Sequence, residues 1–144
     1  RYAIALLIAA IALFIASKLW QRRRFLMQIQ MARLSPAELN ALLDSRGKVT
    51  ILDVRTPERR RRTGWIPGSI HVENVETLQL DPGEEVVVYC DCPNDASAAV
   101  VARKLQDKGF TRVHPLAGGL EAWRRDGGRV DIEELWERAS RPVR

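Results

Sequence analysis

The chain has 144 residues, 46% hydrophobic and 28% charged, with 23 Lys and Arg against 18 Asp and Glu. That length and composition suit one folded domain and exclude a largely disordered chain, and two cysteines exclude a disulfide-dense scaffold. The formal charge of +5 belongs to residues 1–24, which hold Arg1, Lys18, Arg22, Arg23 and Arg24 and no acid; the remainder is neutral, so no nucleic-acid partner is expected.

Tyr2 to Ala16 carries no charge, and its apolar residues run around every helical face. At ~1.5 Å per residue this run spans about 23 Å, and Leu19 and Trp20 extend it toward headgroup depth. A transmembrane helix is therefore expected, with the lipid bilayer contacted through residues 2–20. A secretory signal would need a small-residue cleavage site, and Ser17-Lys18-Leu19-Trp20 is a poor one. Arg22, Arg23 and Arg24 directly after the run match the positive-inside rule. Residues 1–24 thus read as span and basic stop in a bacterial-type inner membrane, with residues 21–144 cytoplasmic. The first residue is Arg, which suggests a fragment beginning inside a longer span.

Residues 25–34 are expected to continue the helix as a linker. Ser35-Pro36-Ala37-Glu38 is a capping box with Pro at the first helical position. It predicts a helix to about Ser45, burying Leu39, Leu42 and Leu43. Val49 to Val54 is a short β-branched run suited to a strand buried on both faces. Ile70-His71-Val72 is a second candidate strand, Asp81-Pro82-Gly83 a turn, and Val86 to Tyr89 the strongest strand. A helix is expected from Asp95 to Lys108, ended by Gly109. Val113 to Leu116 is the last strand; Gly118-Gly119 then opens a short helix to Arg125, and Asp131 to Ala139 suits a helix in the tail, 129–144. Arg59 to Arg62 is an isolated basic run that suits a solvated face or draws anions. Alternating strands and helices at this spacing predict an α/β fold with a parallel sheet covered on both faces.

Tyr89-Cys90-Asp91-Cys92-Pro93-Asn94-Asp95 joins the strongest strand to the next helix. Open α/β sheets place ligands at the carboxyl ends of strands, and unpaired N–H groups at a helix start stabilise an anionic sulfur. Cys90 and Cys92 are therefore candidate nucleophiles. A metal site needs more ligands than Cys-x-Cys, and nothing brings His71 or His114 to the loop, so neither metal nor cofactor is expected.

Four segments in order resemble the rhodanese (sulfurtransferase) domain over residues 35–128. They are Leu52 to Glu58, Gly64-Trp65-Ile66-Pro67-Gly68-Ser69-Ile70, Val87-Val88-Tyr89-Cys90, and Leu116-Ala117-Gly118-Gly119-Leu120-Glu121-Ala122-Trp123. The resemblance implies a doubly wound, five-stranded parallel sheet. It also implies a cysteine that takes sulfane sulfur from a small donor (thiosulfate or a persulfide) and passes it to a thiol or cyanide-like acceptor. The cradle loop would be Asp91, Pro93, Asn94, Asp95, Ala96 and Ser97, supported by Asp53, Arg55, Gly118 and Gly119. The preceding span and arginines resemble the C-terminal part of DedA-family membrane proteins fused to such a domain.

Rhodanese loops place Gly three residues after the cysteine and often Arg at the fifth position. Those positions hold Pro93 and Asp95 counted from Cys90, and Asp95 and Ser97 counted from Cys92. Counting back from Leu105 and Gly109 favours Cys92 as nucleophile, but strand position fixes where the sulfur emerges and Cys90 is the expected one, with Cys92 then able to resolve the persulfide or form a disulfide. Asp91 and Asp95 would repel a dianionic donor. A binding or regulatory module with weakened chemistry is the alternative reading. A thiol phosphatase is disfavoured, because the sixth position after either cysteine is alanine, Ala96 or Ala98, rather than a phosphate-holding Arg.

Overall fold

The computed structural model describes residues 2–29, 32–45 and 47–133, the side chains of 24–29 apart. The chain divides into two units, residues 1–30 and 31–144.

The first unit is one helix, α1 (Tyr2–Ile29), with exposed apolar side chains from Tyr2 to Trp20. Tyr2–Arg23 is long and apolar enough to cross a membrane; its 22 residues reach about 33 Å at ~1.5 Å each. The helix passes through the three arginines and into the expected linker. The linker is not helical throughout, however, since Ala32 to Leu34 have left the helix.

The second unit opens at Ser35, which caps α2 (Pro36–Asp44). Its hydroxyl accepts from the Glu38 N–H while the Glu38 carboxylate accepts from the Ser35 N–H. The buried face differs from expectation. Leu39 is buried and Leu42 half-buried, but Leu43 is 40% exposed. In a helix this short the i, i+3 row from Pro36 faces the core and Leu43 falls at its rim.

Strands β1 (Val49–Asp53), β2 (Ile70–His71), β3 (Glu85–Tyr89) and β4 (Val113–Pro115) form a parallel sheet in the order β2-β1-β3-β4. Among the described residues four strands form where five were expected. The would-be fifth is Leu34 alone, bridged in parallel to Leu116. The next residue, Ser35, already caps α2, and Pro36 has no N–H to extend a ladder.

Side chains alternate across β3. Val86, Val88 and Cys90 pack with Ala98, Ala102 and Leu105 of α4 (Ala96–Asp107). Val87 and Tyr89 pack on the other face with Leu39 and with Leu120 and Trp123 of α5 (Gly119–Arg125). The sheet is thus buried on both sides, which is why its strands read as unbroken apolar runs.

One helix was not foreseen. The arginine run is α3 (Pro57–Thr63), capped by the Thr56 hydroxyl on the Arg59 N–H with Pro at its first position. Asp131 is not the start of a helix: it pairs with Trp65 in an antiparallel bridge, each N–H on the other's carbonyl at 2.9 Å. The rest of the expected tail helix, 134–139, lies outside the described residues.

Candidate functional site

β1 connects to β2 on one side of the sheet and β3 to β4 on the other, so the strand order reverses between β1 and β3. Ligands of open α/β sheets sit at the carboxyl ends of such a pair. Here those ends carry Asp53-Val54-Arg55 and Cys90-Asp91-Cys92.

The β1 end holds a buried charge network. Arg55 grips Asp53 with Nε on Oδ1 at 2.9 Å and Nη2 on Oδ2 at 2.6 Å, both side chains fully buried. Arg60 Nη1 (3.1 Å) and the Tyr89 hydroxyl (2.8 Å) also donate to Oδ2. Burial raises the Asp53 pKa, but these hydrogen bonds and the Arg55 charge outweigh it and hold the carboxyl below its ordinary value. Burial and the neighbouring Asp53 charge push the Tyr89 phenol up to about 12. The remaining Arg55 donors tie α3 to the sheet through Thr63 Oγ1 and the Gly64 carbonyl, each at 2.7 Å. Asp53 and Arg55 therefore tie the end of β1 to α3 and to Tyr89 at the end of β3.

The β3 end holds both cysteines as free thiols in different settings. Cys90 is 2% exposed and belongs to the apolar layer under α4. Burial pushes its thiol up to about 12. Cys92 is half-buried and borders a cleft of about 500 Å³. Its sulfur accepts the Ser97 N–H at 3.3 Å. Burial raises its pKa, but hydrogen bonds from the Cys90 thiol, the Ser97 hydroxyl and backbone N–H groups outweigh that, so it lies below the ordinary thiol value.

The loop between Cys92 and α4 is a 3₁₀ turn, Pro93–Asp95. Asn94 (φ 55°) and Asp95 (φ 54°) take successive left-handed conformations that cost non-glycine residues energy. Tertiary contacts hold them there. Arg33 Nη2 donates to the Asn94 carbonyl at 2.7 Å, and Arg33 Nη1 lies 3.4 Å from the Asp95 carboxylate. The buried Asp95 carboxylate also accepts the Gly118 N–H at 3.2 Å.

Gly119 allows close approach from the other side. A Cβ at Gly119 (φ 56°) would fall 1.9 Å from the Cys90 carbonyl oxygen. Gly119→Ala is expected to destabilise the domain by more than about 2 kcal/mol, read as a lower urea midpoint at unchanged m-value.

The cleft gathers the candidate nucleophile Cys92 with Asp91, Asn94 and Asp95 of the expected cradle, and Gly118. Pro93, Ala96 and Ser97 are exposed beside it. The two loop carboxylates that would repel an anion are matched: Asp91 by Arg59 at 3.1 Å and Asp95 by Arg33. Arg59 thus works beside the loop, whereas Arg60 stacks on Trp65 at 4.9 Å. Arg33, Arg124 and Thr63 line the same cleft and went unforeseen. Arg33 is 61 positions from the loop it holds, and Arg124 donates to the Thr63 carbonyl across a similar separation. The only signal for Arg33 was its place just before the Ser35 cap. His71 bonds the Arg55 carbonyl, and His114 contacts Glu85 and the Ala32 carbonyl. Among the described residues no three His, Cys, Asp or Glu form a metal-sized cluster.

A parallel α/β domain with a hydrogen-bonded thiol at a strand-to-helix turn defines the class. Residues 35–126 match the rhodanese-like domain, and the chain belongs to that family. It is 36% identical over 78 residues to a tRNA sulfurtransferase of Desulfurococcus amylolyticus, covering 54% of this chain and 15% of that protein. It is 32% identical over 107 residues to an adenylyltransferase and sulfurtransferase of Zea mays, covering 67% of this chain and 22% of the relative. The chain thus spans less than a quarter of the length of either curated relative. The polysulfide-sulfur transferase homodimer of Wolinella succinogenes has a similar structure, with a TM-score of 0.63 and 25% identity, covering 83% of this chain and 90% of that one.

Proposed function

We propose that this chain is a sulfurtransferase that carries sulfane sulfur as a persulfide on Cys92 and is held at a membrane by residues 2–20. The observation that carries this reading is Cys92 itself, a half-buried sulfur at the cleft accepting the Ser97 N–H. The Cys92 thiolate attacks the outer sulfur of a small persulfide or of thiosulfate, and the donor's remaining thiolate or sulfite leaves. A thiol or cyanide-like acceptor then attacks the outer sulfur of the Cys92 persulfide, and the Cys92 thiolate leaves. Loop N–H groups stabilise the anionic sulfur at each stage.

Backbone conformation supports Cys92 over Cys90. The third residue after a rhodanese cysteine is a glycine position. Counted from Cys92 it is Asp95, which takes a glycine-like φ of 54°. Counted from Cys90 it is Pro93, whose ring forbids positive φ. Membrane attachment is supported by the exposed apolar surface of α1, which has no other burial within its own unit, and by the arginines after it, which favour a cytoplasmic domain. This arrangement is the one similar to the rhodanese-fused end of DedA-family proteins.

Intact mass of the 144-residue chain in detergent, after glutathione persulfide or after thiosulfate, tests the reading. A gain of one sulfur is expected from the persulfide. No gain from either donor, with both thiols free, would refute sulfur transfer and leave a binding module. Arg33→Gln releases Asn94 and Asp95 from their brace and is expected to slow loading by about 10- to 100-fold through loop misplacement, while the chain stays folded by circular dichroism.

A further inference from the structure

Sulfur transfer through Cys92 leaves Cys90 without a chemical role, yet both cysteines are free thiols. They are separated by one residue, Cys90 sits in the apolar layer, and Cys92 packs against that same layer. We propose a second activity that rests on the persulfide reading: Cys90 resolves the Cys92 persulfide, releasing hydrosulfide and leaving a Cys90–Cys92 disulfide. The substrate class is then a low-molecular-weight persulfide, reduced rather than passed on.

The step balances. The Cys90 sulfur attacks the inner sulfur of the Cys92 persulfide anion, an S–S bond forms between the cysteines, and the bond to the outer sulfur breaks. The Cys90 thiol proton goes to the departing sulfur, which leaves as hydrosulfide. The two electrons that reduce the sulfane sulfur come from the two cysteine sulfurs. A dithiol reductant returns the disulfide to two thiols. Closure across one residue, with Cys92 open to the cleft, makes a bridge that such a reductant reaches. Burial keeps the Cys90 thiol protonated at neutral pH, so resolution is slower than transfer to an acceptor already in the cleft. Tethering through one residue makes the step intramolecular and independent of protein concentration.

The test uses the full chain in detergent, loaded with one equivalent of glutathione persulfide and desalted to remove donor and glutathione. Intact mass and released sulfide are then followed together. The loaded wild type is expected to convert, at a rate independent of protein concentration, to a chain two hydrogens lighter than the reduced form. One hydrosulfide is released per chain, and dithiothreitol restores the starting mass. Cys90→Ala, with Cys90→Ser as a second variant against misfolding, is expected to keep its sulfur at least about tenfold longer. Wild type that holds its sulfur as long as Cys90→Ala, or loses it without forming the disulfide, overturns this inference and leaves sulfur transfer intact. Failure of wild type and both variants to load overturns both.

Discussion

Cys92→Ser is expected to lower sulfur loading by a factor of at least ~1000, while Cys90→Ala still takes up one sulfur. A serine hydroxyl at position 92 keeps the Ser97 N–H contact but has no anionic form near neutral pH. Cys90 cannot substitute, because its thiol is 2% exposed and raised to about 12. The pH profile adds a second signature. The reactive species is the Cys92 thiolate, so loading rises with pH through the Cys92 pKa and then levels off. That pKa is held below the ordinary 9.0 despite burial, by the Cys90 thiol and Ser97, so the midpoint of the rise should lie below pH 9. Ser97→Ala removes the hydroxyl but keeps the backbone N–H, and the rise should move to higher pH. Initial rates of persulfide uptake, by intact mass at fixed donor, measure both effects. Loading that survives Cys92→Ser and disappears in Cys90→Ala would reverse the assignment of the nucleophile.

The elements that the sequence shows plainly are those whose local pattern and tertiary role agree. Val86 to Tyr89 is apolar and β-branched because both faces of β3 are covered. Ser35 to Glu38 can be read as a cap because its hydrogen bonds are local. Thr56-Pro57-Glu58 carries a similar signal, but the four arginines that follow mask α3 by showing no apolar stripe. That stripe is absent because α3 buries no residue; Arg60 and Thr63 anchor it through polar contacts to Asp53 and Arg55. The cysteine frame was ambiguous for a different reason. Strand position and loop length gave opposite answers, and what separates the thiols is their depth and the left-handed turn at Asn94 and Asp95. Neither residue type demands that turn. Arg33 and Gly118 impose it from 61 and 23 positions away.

Asp53→Asn carries the largest expected loss of stability, about 3–5 kcal/mol. The substitution nearly preserves shape but leaves the buried Arg55 guanidinium facing a neutral amide. The new amide NH₂ would also confront one of the groups that now donate to the carboxylate: the Arg55 side chain and N–H, Arg60, and the Tyr89 hydroxyl. Through Arg55 the loss spreads to Thr63 and Gly64, and through Tyr89 to Ser69 and the Ile66 N–H. The same carboxyl shapes the acid limb of stability. Its folded pKa lies below the ordinary 3.8, so it is ionised in the native state where the unfolded chain begins to protonate. Its contribution is complete above the unfolded pKa and is lost as pH falls through the folded one. Urea unfolding of the full chain in detergent, followed by tryptophan fluorescence from neutral pH to below pH 3.8, should show a large drop in midpoint for Asp53→Asn at neutral pH. The gap to wild type should narrow as the wild-type carboxyl protonates. A variant within about 1 kcal/mol of wild type at neutral pH would mean that the pair does not hold α3 to the sheet. A double variant, Asp53→Leu with Arg55→Met, removes both charges at once; recovery of part of the loss would assign most of the cost to the stranded Arg55 charge.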